Sequence, residues 1–346
     1  MLAFMERAAE SWTADWCGGA PATFAPPDGD VEFRTSGSTG QPRTWWRTYS
    51  QMWAEAGLIA DLLTPARPVE IVSFAPPSHL YGALSTGLLG ARLGVRTRYV
   101  APGRPIDALP VGANLLVVAI PSTFTLLRAH TEQLAAAPRL TFLHSTAMLP
   151  TAAEELLGAL DPTRARLIEI FGSTETGGIA TRTRGDEAGR WTLMPDVSFA
   201  DAAVAEDHTD EDPRLTVRSP RLARPAGGVF PIRWTTDDHV RRLGERQFAF
   251  AGRRDRLVKV NGRRIDLDHL TATLVARVSC ADLACVPVRD AVRGEGFDIH
   301  VAEPGSEVHQ QIAAVVQEFG VLPRAIRRVS KIARSATGKT LGGMRG

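Results

Sequence analysis

Lysine is nearly absent from this sequence. Of 346 residues 40 are basic, yet only Lys259, Lys331 and Lys339 are lysine and the rest are arginine. Lysine is a compact charge on a flexible stem and arginine a planar fork, so a lysine kept in such a chain is more informative than usual. Long apolar runs are missing too; none approaches the roughly 18 residues of a membrane span. No charge dominates: 40 basic residues face 38 acidic ones, for a net +2. No basic run is interleaved with aromatics, so neither a nucleic acid nor a membrane is expected as a partner. Cysteine is scarce. Cys17, Cys280 and Cys285 are odd in number and lack metal-ligand spacing, which excludes a disulfide framework and points to a reducing, cytoplasmic compartment. The segment Met1 to Trp16 carries Glu6, Glu10 and Asp15 among its apolar residues and reads as an amphipathic helix, not a signal peptide.

What is present is an alternation. Short apolar strands are expected at 70–75, 95–100, 115–120, 140–144 and 166–171, with helical stretches at 49–63, 83–93, after Pro121 and at 151–160. That order implies parallel βαβ units, whose ligands collect beyond the carboxyl ends of the strands. From Trp191 short β-like pieces follow one another, suggesting an antiparallel layer or small barrel attached to the first body. Near Gly252 the chain begins again, with a hairpin around Asn261-Gly262, a helix at 268–278, strands at 284–288 and 298–301 and a helix at 307–319. The expected fold is α/β. A large N-terminal domain (1–253) holds a mostly parallel sheet plus a small β-layer, and a small mobile α+β domain (254–346) follows.

Five polar segments carry the chemistry. Thr35-Ser36-Gly37-Ser38-Thr39-Gly40-Gln41-Pro42-Arg43 follows a strand and reads either as a surface loop or as a phosphate cradle, with glycines for close approach and hydroxyls and Arg43 as donors. Pro76 to Gly82 contains His79, a carboxylate-pocket candidate or a packed loop histidine. Gly172-Ser173-Thr174-Glu175 ends a strand, and its carboxylate either holds Mg²⁺ against phosphates or lies near a helix N-terminus capped by Ser173 or Thr174. Asp237 at a strand end either accepts ribose hydroxyls or is a turn aspartate. Gly338-Lys339 is not a Walker loop, since position 333, where the first glycine belongs, is Ala333.

In order, these segments resemble the adenylate-forming superfamily, which includes acyl- and aryl-CoA synthetases, peptide-synthetase adenylation domains and luciferase. The resemblance runs from Phe33 to the end and includes Gly252-Arg253-x-Asp255 and Val258-Lys259-Val260-x-Gly262. It implies ATP-dependent activation of a carboxylic acid to an acyl-adenylate, with transfer to the thiol of CoA or of an acyl carrier protein. Thr35, Ser36, Gly37, Ser38, Thr39, Gly40 and Arg43 would wrap the β- and γ-phosphates, with arginine where the family has lysine. Gly172 and Ser173 would complete the nucleotide pocket, Thr174 would face the α-phosphate and Glu175 would hold Mg²⁺. Asp237 would bind ribose with Arg253 as its partner. His79, Tyr81, Gly82, Ser145 and Gly177 would line the acid. Asp255 would be the hinge and Lys259 and Gly262 the thiol path. Lys339 would be the catalytic lysine, and two of the three lysines fall where the family pattern has them.

Two departures accompany the resemblance. Only about thirty residues precede the phosphate loop, where the family has a long lobe, so a homodimer contact, a partner subunit or a carrier protein is expected to replace that wall. Ser145-Thr146-Ala147 stands where many members have a glycine-rich turn at adenine. The segment Pro76 to Gly90 has no acidic residue to hold an α-amino group, so an aryl or acyl acid, of the kind used in secondary metabolism, is the expected substrate. The small residues Gly82, Ala83, Ser85, Thr86 and Gly87 are expected to leave room for it. The alternatives are a non-catalytic nucleotide- or acyl-binding relative, and adenylate transfer to an amine.

Overall fold

The structure is a computed structural model and describes residues 3–17, 29–35, 43–145, 149–185, 189–200, 213–253, 256–260, 263–290 and 294–334. It opens with a short helix, α1 (Ala3–Glu6), and a short strand, β1 (Trp12–Ala14). β2 (Asp30–Thr35) and β3 (Arg43–Thr48) pair antiparallel, with Thr35 opposite Arg43. Helix α2 (Tyr49–Leu63) starts directly after β3 because Thr48 and Gln51 form a capping box. The Gln51 amide donates to Thr48 Oγ1 and the Thr48 amide to Gln51 Oε1, each at 3.0 Å.

The alternating region then runs β4 (Glu70–Ser73), α3 (Leu80–Gly82), a π-helical segment Ala83–Leu88, α4 (Leu89–Leu93) and β5 (Arg96–Tyr99). It continues with β6 (Leu115–Ala119), α5 (Pro121–Leu127), α6 (Thr131–Ala135), β7 (Leu140–His144), α7 (Thr151–Gly158) and β8 (Ala165–Ser173). Five of these strands are parallel in the order β5-β4-β6-β7-β8. Every residue of β6 and β7 is buried, which is why they read as unbroken apolar runs: helices cover both faces.

The chain then gives β9 (Gly177–Thr183), β10 (Arg190–Leu193), β11 (Ser198–Phe199), β12 (Arg214–Arg218), β13 (Arg224–Pro225), β14 (Trp234–Arg242) and β15 (Gln247–Arg253). From Trp191 the strands pair antiparallel as expected, but the expectation that they form a layer or small barrel attached to the first body is corrected here. β9, β10, β15, β14, β12 and β11 continue the first sheet, in that order, to make twelve strands. The cause is local: β8 turns back tightly into β9 and pairs with it antiparallel, so the chain carries on along the open edge. The separate small layer is instead the three-stranded sheet β13-β3-β2. Trp45 of β3 packs edge-on against Trp234 of β14 at 5.2 Å between ring centres.

A second correction concerns the first residues. The expected helix over Met1 to Trp16 is confined to α1, and β1 instead pairs antiparallel with the edge strand β5, Trp12 opposite Tyr99. Burial of the aromatic rings favours this, since Trp12 packs tilted against Tyr99 with 5.7 Å between ring centres and both are buried at the sheet edge. Phe4 also takes up the room expected beside Gly87. A Cβ on Gly87 would lie 2.1 Å from the Phe4 ring, one on Gly90 would lie 2.8 Å from Trp16, and one on Gly82 would lie 2.0 Å from the Pro76 carbonyl oxygen. These glycines are small because other parts of the chain press on them.

The last part has its own apolar core, built from Leu267, Leu270, Leu274, Phe297, Ile299 and Ile312 among others. β16 (Leu257–Val260) and β17 (Arg263–Asp266) form the expected hairpin. α8 (Leu267–Arg277), β18 (Cys280–Asp290), β19 (Gly294–Pro304), α9 (Val308–Glu318) and β20 (Ile326–Val329) follow, with β18 antiparallel and β20 parallel to β19.

Candidate functional site

Three of the polar segments, at 76–82, Ser145 and 172–175, follow or end the parallel strands β4, β7 and β8. The loop after Thr35 joins two antiparallel strands, β2 and β3, and not a strand to a helix as a Walker loop does. Thr35 Oγ1 lies 3.4 Å from the Arg43 carbonyl and Arg43 is exposed. Ser36, Gly37, Ser38, Thr39 and Gly40 lie outside the described residues, as do Asp255, Gly262 and Lys339. Lys259 is placed in β16, opposite Arg264.

The turn between β8 and β9 is described in full. Thr176 is its internal clasp: its Oγ1 accepts from the Ser173 amide at 3.1 Å and donates to the Gly177 carbonyl at 2.9 Å. Two glycines are required. A Cβ on Gly172 would sit 2.1 Å from the Gly177 carbonyl oxygen, and Gly177 has a φ of +69°. Thr174 and Glu175 are half-buried at the tip.

Beneath this turn lies a charge network that sequence reasoning missed. Arg47 of β3, Glu55 of α2 and Arg221 have side chains 0%, 2% and 1% exposed. Arg47 Nε and Nη2 donate to the Thr174 carbonyl at 3.3 and 3.2 Å. Glu55 Oε2 lies 3.4 Å from Arg47 Nη1 and 3.0 Å from Arg221 Nη1, while its Oε1 accepts from the Gly178 amide at 2.7 Å. Arg221 forks onto Asp196 at 2.7 and 2.9 Å and donates to the Gly178 carbonyl at 2.8 Å. Burial pulls the Arg47 guanidinium down to about 10, against the attraction of Glu55. Burial also pulls on Arg221, but Glu55 and the Asp196 fork more than reverse it and leave it above its ordinary value. Both stay cationic at neutral pH. The signal was the carboxylate of Glu55 on a helix face otherwise formed by Met52, Ala56 and Ile59.

The neighbouring strand ends carry a second polar row. His144, Glu169 and Arg182 are cross-strand neighbours on β7, β8 and β9. Glu169 accepts a forked pair from Arg182 at 2.6 and 3.0 Å. Burial pushes the His144 imidazole down to about 4, so it is neutral at pH 7. Ser145 follows it, half-buried. Tyr81, a substrate-lining candidate, is a strut: its hydroxyl donates to the Leu143 carbonyl at 2.6 Å and contacts the Ala119 carbonyl at 3.4 Å, tying the ends of β7 and β6. His79 precedes α3, half-buried, its imidazole lowered by burial.

The two ribose candidates lie on the paired strands β14 and β15. Asp237 is exposed on β14, with Arg214 Nη1 at 3.9 Å. Arg253 of β15 instead has Asp238 as its cross-strand neighbour, its Nε 3.8 Å from Asp238 Oδ1. Among the described residues no three His, Cys, Asp or Glu side chains converge as a metal cluster, and no helix is long and apolar enough to cross a membrane.

Residues 32–224 match the family model described as AMP-binding enzyme. The chain is 30% identical over 255 residues to a 4-coumarate–CoA ligase of Rhodobacter capsulatus, covering 73% of this chain and 59% of that protein. It is 23% identical over 348 residues to an acetyl-coenzyme A synthetase of Xanthobacter autotrophicus, covering 89% of this chain and 54% of that one. It thus spans little more than half the length of these relatives. In fold it is similar to the ATP-bound MatB of Rhodopseudomonas palustris, with a TM-score of 0.70 at 15% identity over 90% of this chain and 66% of that one.

Proposed function

The chain belongs to the AMP-binding enzyme family, and from that premise we propose that it activates a carboxylic acid with ATP and passes the acyl group to a thiol. One observation carries the reading. Arg47, on the strand that leaves the 36–42 loop, donates twice to the carbonyl of Thr174, 127 residues away. This ties the strand that follows the 36–42 loop to the 172–178 turn, which supports reading the two glycine- and hydroxyl-rich segments as parts of one site.

In the first half-reaction a carboxylate oxygen attacks the α-phosphorus of ATP, and the bond to pyrophosphate breaks. Catalysis here is mostly positioning and charge neutralisation. Thr35, the 36–40 loop and Arg43 hold the β- and γ-phosphates, and the Thr174 hydroxyl faces the α-phosphate. The donor set at Glu175 fits Mg²⁺, which takes one or two carboxylates together with phosphate oxygens. Bound there, Mg²⁺ would offset phosphate charge. Asp237 and Arg253 serve the ribose, and Lys339 neutralises the charge that develops as the acyl-adenylate forms. In the second half-reaction a thiol sulfur attacks the adenylate carbonyl and AMP leaves. The division at 253/254, with Asp255 as hinge, lets Lys339 withdraw and brings Lys259 and Gly262 to the thiol path.

The relatives named for CoA ligation and acetyl-CoA synthesis support CoA as acceptor; an acyl carrier protein is the other thiol. The acid lacks an α-amino group, since residues 76–90 have no carboxylate to hold one. Pyrophosphate exchange across a panel of aryl, short acyl and amino acids tests the proposal. Exchange is expected with an aryl or acyl acid and lost in Lys339→Ala with ATP still bound. Clear ATP binding with no exchange for any acid would contradict it.

A further inference from the structure

The Arg47–Glu55–Arg221 network does more than offset its own burial. Three of its contacts converge on the backbone of the 174–178 turn, at the Thr174 carbonyl, the Gly178 amide and the Gly178 carbonyl. A buried carboxylate is weak as a stabilising device, because an apolar side chain of similar volume often does as well. On this face of α2, beside Met52, Ala56 and Ile59, an apolar residue would simply have continued the pattern. The turn is in its turn built around the charges. A Cβ on Gly177 would lie 2.4 Å from Glu55 Oε2 and 2.9 Å from Arg221 Nη1. Arg47 also sits four positions after Arg43, on the strand that leaves the phosphate-loop candidate.

We infer that Glu55 is a positioning residue for the nucleotide site: it aims the Arg47 fork at the Thr174 carbonyl and holds the Gly178 amide, which sets Thr174 and Glu175 against the strand that leaves the 36–42 loop. Glu55 touches no substrate. It acts through Arg47 and through the turn backbone. The catalytic consequence rests on the adenylation reading; the geometry it fixes does not.

Glu55→Gln keeps the shape and an acceptor for the Gly178 amide but removes the charge that orients both guanidiniums. In pyrophosphate exchange kcat is expected to fall about 10- to 100-fold, the loss typical of a misplacement on the order of 1 Å. The KM for the acid should stay unchanged while the Mg²⁺ concentration for half-maximal rate rises, because Glu175 and not the acid pocket is displaced. Amide hydrogen exchange read by mass spectrometry should speed up at 172–178 and not at 140–145. Arg47→Lys, which keeps the cation but loses the fork on Thr174, should do the same, and it serves if the Gln variant does not fold.

A folded variant with parental kcat, Mg²⁺ dependence and amide exchange would overturn the inference while leaving the adenylation reading intact. A loosened turn with parental kinetics would overturn it too. If the parent shows no exchange with any acid but Glu55→Gln still loosens 172–178, the adenylation reading fails and the positioning geometry stands.

Discussion

Arg47 and Arg221 lie sealed beneath the 174–178 turn, whereas Arg277 and Arg334, in the last part of the chain, fork onto Glu318 and Asp282 at the surface. The same fork does two jobs. At the surface it is screened, and such pairs contribute little. In the interior each guanidinium meets carboxylates and backbone carbonyls at once, so removing one partner strands the others without water. A chain that uses arginine almost everywhere thus has arginines that can be exchanged and arginines that cannot, and burial tells them apart.

Arg221→Ala should break the comparison most visibly. It leaves Glu55 and Asp196 facing an uncompensated site, and unfolding in urea should show a loss of about 3–5 kcal/mol. His144 extends the comparison to a group that burial keeps neutral. Its folded value of about 4 lies below its ordinary 6.5, so the unfolded chain binds the extra proton between those pH values. The neutral imidazole's contribution is complete above about pH 6.5 and is lost as pH falls toward 4, up to about 3 kcal/mol in total. Urea unfolding at pH 7.5, 6 and 5 should show a steeper acid loss in the parent than in His144→Gln. Gly177→Ala tests the fit of turn to network. Its positive φ and the contact with Glu55 should cost about 1–3 kcal/mol in the same assay. Arg277→Ala is the control: its melting temperature should match the parent's at high and low salt.

Much of the architecture was legible because it rests on local pattern. The short unbroken Leu115-Leu-Val-Val-Ala119 run, closed by Pro121, reads as a strand covered on both faces, and the helix expected at 49–63 is α2. β3 was not legible, because its inward position 47 is an arginine, which breaks the apolar alternation. Nor was the continuation of the sheet past β8, since neighbours such as β10 and β15 are joined only by long-range pairing. In the candidate site the turn at 172–177 could be read as a motif. Its support could not, because Glu55 and Gly178 are 123 residues apart and no local spacing links them. The room expected at Gly87 was misread for a similar reason: the ring that fills it, Phe4, comes from another segment.

The central claim is that this site joins ATP to a carboxylic acid without an α-amino group. Mass spectrometry of the products formed from ATP, Mg²⁺ and a mixed pool of aryl, short acyl and amino acids tests it directly. An acyl- or aryl-adenylate is expected, and it should disappear when a thiol acceptor is added. An aminoacyl-adenylate, or no adenylate from a folded protein that binds ATP, would contradict it.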